Sequence, residues 1–109
     1  MNYHIRKAVK SDMSQVLNLI TELAIFEKEP NAVEITESDL IAKGFGEHPE
    51  FDCFVAEDGQ KVIGIALVYT RFSTWKGTVL HLEDLIVSEN ARGQGVGSAL
   101  LDQVIIYGH

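Results

Sequence analysis

Two hydrophobic periods take turns along this chain of 109 residues. Met13, Val16, Leu17, Ile20, Leu23 and Ala24 recur at the spacing of a helix with one apolar face. Ser11 precedes the run as an N-cap, which predicts a helix to about Glu27, ended by Pro30 and Asn31. Thr36 with Asp39 predicts a capping box for a short second helix that Gly44-Phe45-Gly46 closes. Strand patterns flank these helices. Residues 3–9 alternate roughly and read as a first strand, and Phe51 to Glu57 as a second. Asp58-Gly59 is a hairpin signal, and its partner strand runs from Lys61 to about Phe72 with Val62, Ile63, Ile65, Leu67, Val68 and Tyr69. A loop over residues 73–77 leads to a strand from Thr78 to Val87. A last helix is expected from about Gly95 to Tyr107, with Val96, Leu100, Leu101, Val104 and Ile105 on its apolar side.

The order β-α-α-β-β-β-α describes an α/β protein of the α+β type: a mixed, mostly antiparallel sheet with flanking helices, not a doubly wound fold. Residues 1–109 read as a single domain without repeats or linkers. A strand–loop–helix unit such as the one joining Val87 to Gly95 usually continues into another strand, so the chain is expected to be shorter than its domain.

Composition narrows the function classes. Apolar residues make up 46% and charged residues 23%, which is globular rather than disordered composition. No apolar run approaches the ~20 residues that cross a bilayer, and the N-terminus lacks a signal-peptide core. Cys53 is a lone cysteine with no internal disulfide partner, so a cytoplasmic protein is expected. Nine basic residues stand against sixteen acidic ones, for a net charge of −7. That balance argues against nucleic acid or an anionic membrane as partners and favours a cationic ligand.

The chemistry is concentrated in Leu82-Glu83-Asp84-Leu85-Ile86-Val87 and Arg92-Gly93-Gln94-Gly95-Val96-Gly97-Ser98. Glycines at alternate positions before a helix let the backbone approach a ligand and leave its first N–H groups free. With the helix dipole they form an anion site suited to phosphate, and Arg92 adds a fixed positive charge. The spacing is not the G-x-G-x-x-G of a dinucleotide site, and no lysine follows as in a P-loop.

Arg92, Gly95 and Gly97 fit R-x-x-G-x-G, and here the chain resembles the GNAT acetyltransferase superfamily. Over nearly its whole length it is similar to the diamine (spermidine/spermine) N-acetyltransferase branch. The resemblance is carried by Ile5-Arg6 with Ala8, Glu22-Leu23-Ala24 through Glu27, Gly44-Phe45-Gly46-Glu47-His48-Pro49, Val55-Ala56-Glu57, Trp75 with Gly77, Leu82-Glu83-Asp84 and the glycine motif. It implies acetyl-CoA as co-substrate, with the backbone of Leu85, Ile86 and Val87 along the pantetheine arm and Arg92 to Ser98 around the pyrophosphate. It implies that Glu83 helps take a proton from the substrate ammonium, and that Asp84, Glu27 and Trp75 lie near the amine. A small-molecule amine such as a polyamine, diamine or lysine-like compound is the implied acceptor, and a homodimer the implied assembly. Phe26 stands where the polyamine enzymes have tyrosine. The family continues into a further strand and a helix whose tyrosine serves as general acid, elements this sequence does not reach. The alternatives are a GNAT enzyme acting on another free amine, such as an amino acid, and a non-catalytic CoA-binding or interaction module.

Read on its residues alone, Glu83 shares a strand face with His81, Leu85 and Val87, while Asp84 takes the other face, so one of the two at most faces a given cleft. Trp75 reads either as a lid over the core or as a cover for a ligand chain. Cys53 reads as a small buried strand residue. The four histidines have no ligand-like spacing, and no metal is expected.

Overall fold

The computed structural model describes residues 2–29 and 31–108. Its elements are β1 (His4–Lys7), α1 (Met13–Phe26), α2 (Glu37–Phe45), β2 (Asp52–Asp58), β3 (Lys61–Ser73), β4 (Gly77–Val87) and α3 (Val96–Tyr107). The expected order is the order found. Every pairing among the described residues is antiparallel, and the strands lie in chain order, β1-β2-β3-β4.

The helices divide the sheet's two faces. Met13, Val16 and Leu19 of α1 and Leu40 of α2 pack on Cys53, Val55, Ile65 and Ile86. Val96, Leu100 and Val104 of α3 pack on Phe54, Ala56, Ala66 and Val68 from the opposite side. The middle strands are therefore covered on both faces, which is why residues 62–68 are buried without interruption. Close packing of α3 depends on Gly64, where an added Cβ would sit 2.9 Å from Val96 and 3.0 Å from Leu100.

Two bulges shift the register. One lies in β3, where Ala56 faces Gly64 but Glu57 faces Val62, leaving Ile63 as the extra residue. The other lies in β4. Leu67 faces Asp84 and Val68 faces Leu82, so Glu83 is the extra residue.

The local capping signals divide, one forming as expected and one not. Thr36 and Asp39 exchange both arms of the expected capping box, at 3.1 and 2.9 Å. Ser11 does not cap α1. A short 3-10 turn over Lys10–Asp12 intervenes, and Asp12 instead turns back to accept the Val9 N–H at 2.7 Å. The helix stop expected at Pro30 lies outside the described residues.

Asp12 also anchors the N-terminal strand. It is buried and accepts two hydrogen bonds from the Arg6 guanidinium, at 2.8 and 2.9 Å. Arg6 reaches Glu57 on β2 as well, at 3.1 and 3.2 Å. The Arg6 bonds hold the Asp12 carboxyl below its usual range against the opposing effect of burial, and the Val9 N–H adds to the lowering. A carboxylate lowered in the folded state stabilises the protein above its unfolded value, and that stability is lost as pH falls through the folded value. Asp12→Asn is expected to cost roughly 2 kcal/mol at neutral pH. Thermal melts taken below about pH 4 should show the gap between the variant and the parent chain closing.

Candidate functional site

The glycine turn leaves the end of β4 at Val87. The Ser88 N–H donates to the Ile63 carbonyl at 2.8 Å, and Ala91 is buried, so the turn is pinned before the glycines begin. Gly93 and Gly95 take φ of +83° and +79°, the left-handed region that costs a side chain roughly 1–2 kcal/mol. Gly95 is the N-cap of α3 and supplies no side-chain cap; the first bond across it is Ala99 N–H to the Gly95 carbonyl, at 3.0 Å. The N–H groups of Val96, Gly97 and Ser98 thus have no intrahelical acceptor.

Arg92 is held in place beside them. Its Nε donates to the Val87 carbonyl at 3.2 Å, and its guanidinium lies 5.3 Å from the centre of the Phe26 ring. Its two terminal nitrogens have no protein partner among the described residues. Arg92 and Phe26 line a depression of about 440 Å³ between α1 and the turn, with Asn18, Glu22, Ile25 and Glu89. Glu22 is engaged there as acceptor of the Glu89 N–H, at 3.2 Å.

Farther back on β4 lies a second hollow of about 430 Å³. Its apolar wall includes Ile20, Val33, Ile35 and Phe51, and its carboxylates are Glu34, Asp39, Glu83 and Asp84, with Lys43 at one side. The bulge corrects the strict alternation expected for this strand: Glu83 and Asp84 both line the same cleft. Their settings differ. Glu83 is exposed and Asp84 half-buried, and Asp84 is raised above the ordinary aspartate value by burial first and by the Glu83 charge second. The pair therefore joins an exposed anion to a neighbour that gives up its proton less readily.

The remaining expected site residues separate into groups. Leu85 lies exposed on β4, which no described strand pairs along its outer edge. Ile86 and Val96 are buried core side chains, so their backbone alone can meet a ligand. The Val87 carbonyl is already taken by Arg92. Gly93, Gln94, Gly95 and Ser98 are exposed, and the Gln94 carbonyl accepts from Tyr3 Oη at 3.4 Å. Glu27 sits exposed at the end of α1 and does not line the acidic cleft. Trp75 is 94% exposed on the β3–β4 turn, covering neither core nor cleft in this chain. Cys53 is buried as expected, and burial pushes its thiol up to about 12, which leaves it inert. Glu34, Asp39 and Lys43 escaped the sequence reading; Asp39 was legible only as a helix cap.

The profile of the acetyltransferase (GNAT) family matches residues 14–108. The chain belongs to the GNAT acetyltransferase family. It is 44% identical over 108 residues to the thialysine N-epsilon-acetyltransferase of Bos taurus, a match covering 92% of this chain and 64% of that protein. It is 37% identical to the human spermidine/spermine N(1)-acetyltransferase-like protein 1, covering 94% of this chain and 16% of that one. The chain thus spans less than two thirds of the length of either relative. An integron cassette protein of V. cholerae superposes with a TM-score of 0.73 at 26% identity, over 98% of this chain and 68% of that one. An aminoglycoside acetyltransferase from an uncultured soil metagenomic sample superposes with a TM-score of 0.75 at 20% identity, covering 96% and 68%, and shares the fold.

The GNAT turn does not need all its glycines for the same reason. Gly97 lies inside α3, and an added Cβ would stand at an ordinary 3.6 Å from Val87. Gly95→Ala is expected to destabilise the chain by about 1–2 kcal/mol, and Gly97→Ala to leave it unchanged or up to about 1 kcal/mol more stable. Chemical denaturation of the two variants checks this; equal losses would mean that Gly97 also serves folding.

Proposed function

We propose that this GNAT protein transfers the acetyl group of acetyl-CoA directly to the primary amine of a polyamine, diamine or lysine-like small molecule. One juxtaposition carries the reading: free helix N–H groups and Arg92 follow Val87, while the bulge holds two carboxylates earlier on the same strand. At roughly 3.3 Å per residue, Glu83 lies about 13 Å upstream of Val87. An extended pantetheine arm laid along the outer edge of β4 spans that distance.

The residues at the turn fit a pyrophosphate. Three backbone donors and the Arg92 terminal nitrogens supply hydrogen bonds and positive charge in a protein of net charge −7. The bare Cα of Gly97 lets an anion approach where a side chain would intrude. At the other end, the carboxylates of the cleft attract an ammonium, and its apolar wall accommodates an alkyl chain. Bound acetyl-CoA supplies the activated acyl group. Glu83 helps remove one proton from the ammonium; the freed amine forms the C–N bond as the C–S bond breaks, and the second nitrogen proton goes to the departing thiolate, which leaves as the CoA thiol. Backbone N–H groups near Leu85 hold the carbonyl oxygen. The thialysine and polyamine relatives support an amine at the end of a flexible chain as acceptor. A cytoplasmic homodimer is the assembly we place it in, by the same resemblance.

Acetyl-CoA should raise the melting temperature of the chain, and Arg92→Ala should weaken that shift more than it weakens amine binding. Glu83→Gln should slow acetyl transfer by about 10²–10⁴ and leave acetyl-CoA affinity nearly intact. Loss of both in equal measure would remove Glu83 from the proton step. Retained acetyl-CoA binding with no transfer across an amine panel would favour a non-catalytic CoA-binding module.

A further inference from the structure

His81 takes no part in the transfer proposed above, yet the fold holds it against the residue at its centre. It faces Tyr69 across the β3–β4 ladder, with ring centroids 4.9 Å apart at 53°. Its Nε2 stands 3.6 Å from Oε1 of Glu83, one strand period away on the same face. Both side chains reach solvent, at 36% and 54% exposure. Tyr69 is the ionisable group directly opposite it on β3, with Arg71 two residues farther along that strand, while Asp84 and Lys43 line the hollow that Glu83 also lines, Lys43 pairing with Glu50 at 3.1 Å. Among the described residues, Glu83 is the sole carboxylate within ion-pair distance of the imidazole.

We propose that His81 is a positioning residue for Glu83, and that its protonated form competes with the substrate ammonium for the Glu83 carboxylate. The proposal rests on reading the Glu83–Asp84 cleft as the amine site. An imidazole gains its charge as pH falls through about 8 to 5, whereas alkyl amines stay protonated throughout that window. As pH falls, the imidazolium draws the carboxylate along the strand and away from the cleft; as pH rises, it releases it. Amine affinity then climbs with pH because of the protein and not the ligand. By reciprocity, a bound amine drives the proton off His81. The tilted contact with Tyr69 matters because it limits how far the ring can swing from Glu83.

Two measurements on the full chain test this, with 1,4-diaminobutane as the probe. Imidazole resonances followed by NMR should show the His81 midpoint falling in Glu83→Gln, and falling in the parent chain when the dication is added. Calorimetry should show the parent chain binding the dication severalfold more tightly at pH 8 than at pH 5.5, while His81→Phe, which keeps a ring against Tyr69, loses most of that difference and keeps only the part that Asp84 supplies. Acetyl-CoA affinity should follow the same pH course in both chains. A His81 midpoint indifferent to Glu83→Gln overturns the proposal, as does a His81→Phe chain that keeps the parent pH dependence. Failure of the dication to bind at any pH overturns the amine-site reading and this inference with it. Binding with the expected pH dependence but no acetyl transfer upholds the inference and defeats the transfer.

Discussion

Everything distinctive in this chain hangs on one irregularity in the β3–β4 ladder. Leu80 and Leu82 belong to the core under α3, while Ile86 belongs to the core under α1 and α2. All three positions are even-numbered, and a regular strand would send them to one face. The extra residue opposite Leu67 and Val68 reverses the parity, so both halves of β4 bury their apolar side chains. The residue left over at the reversal is Glu83. A carboxylate at that point has no place in either core, and it turns to the cleft where Asp84 already points. The bulge thus solves a packing problem and sets two acids side by side with the same step.

The second constraint is electrostatic. A protein carrying −7 repels an anionic ligand unless it supplies a local site, and the fold supplies one where positive character needs little side-chain charge. Unpaired helix N–H groups do most of this, with Arg92 held by Phe26 and the Val87 carbonyl. The bulge a few residues earlier on the same strand keeps the acidic character that suits a cation. Positive and negative character thereby lie a few residues apart along β4 and the turn that follows it.

The fold was legible because its signals are local and mutually consistent. The heptad-like apolar run of α1, the Thr36–Asp39 box, the Asp58-Gly59 turn and the glycine turn each encode an element without reference to the rest of the chain. The candidate site was legible only along the strand and turn. A bulge is decided by what two opposite cores demand, so no inspection of residues 77–87 by themselves could show Glu83 and Asp84 sharing a side. Glu34, Asp39 and Lys43 were missed for a related reason: they join the cleft through the packing of α2 and the segment before it, a contact made at long range. Trp75 and Glu27 show the converse, since residues matched by resemblance stand apart from the cleft within this chain.

Placing the acids at a bulge also settles how they differ. Asp84 faces Leu67 within the ladder and is partly covered, so burial and its neighbour's charge both favour its protonated form. Glu83, outside the ladder and exposed, has the His81 imidazole 3.6 Å away on the same face. A regular strand would have put the two acids on opposite faces and removed the coupling between them. The feature that lets β4 serve two cores is therefore also what brings the Glu83 charge to bear on Asp84.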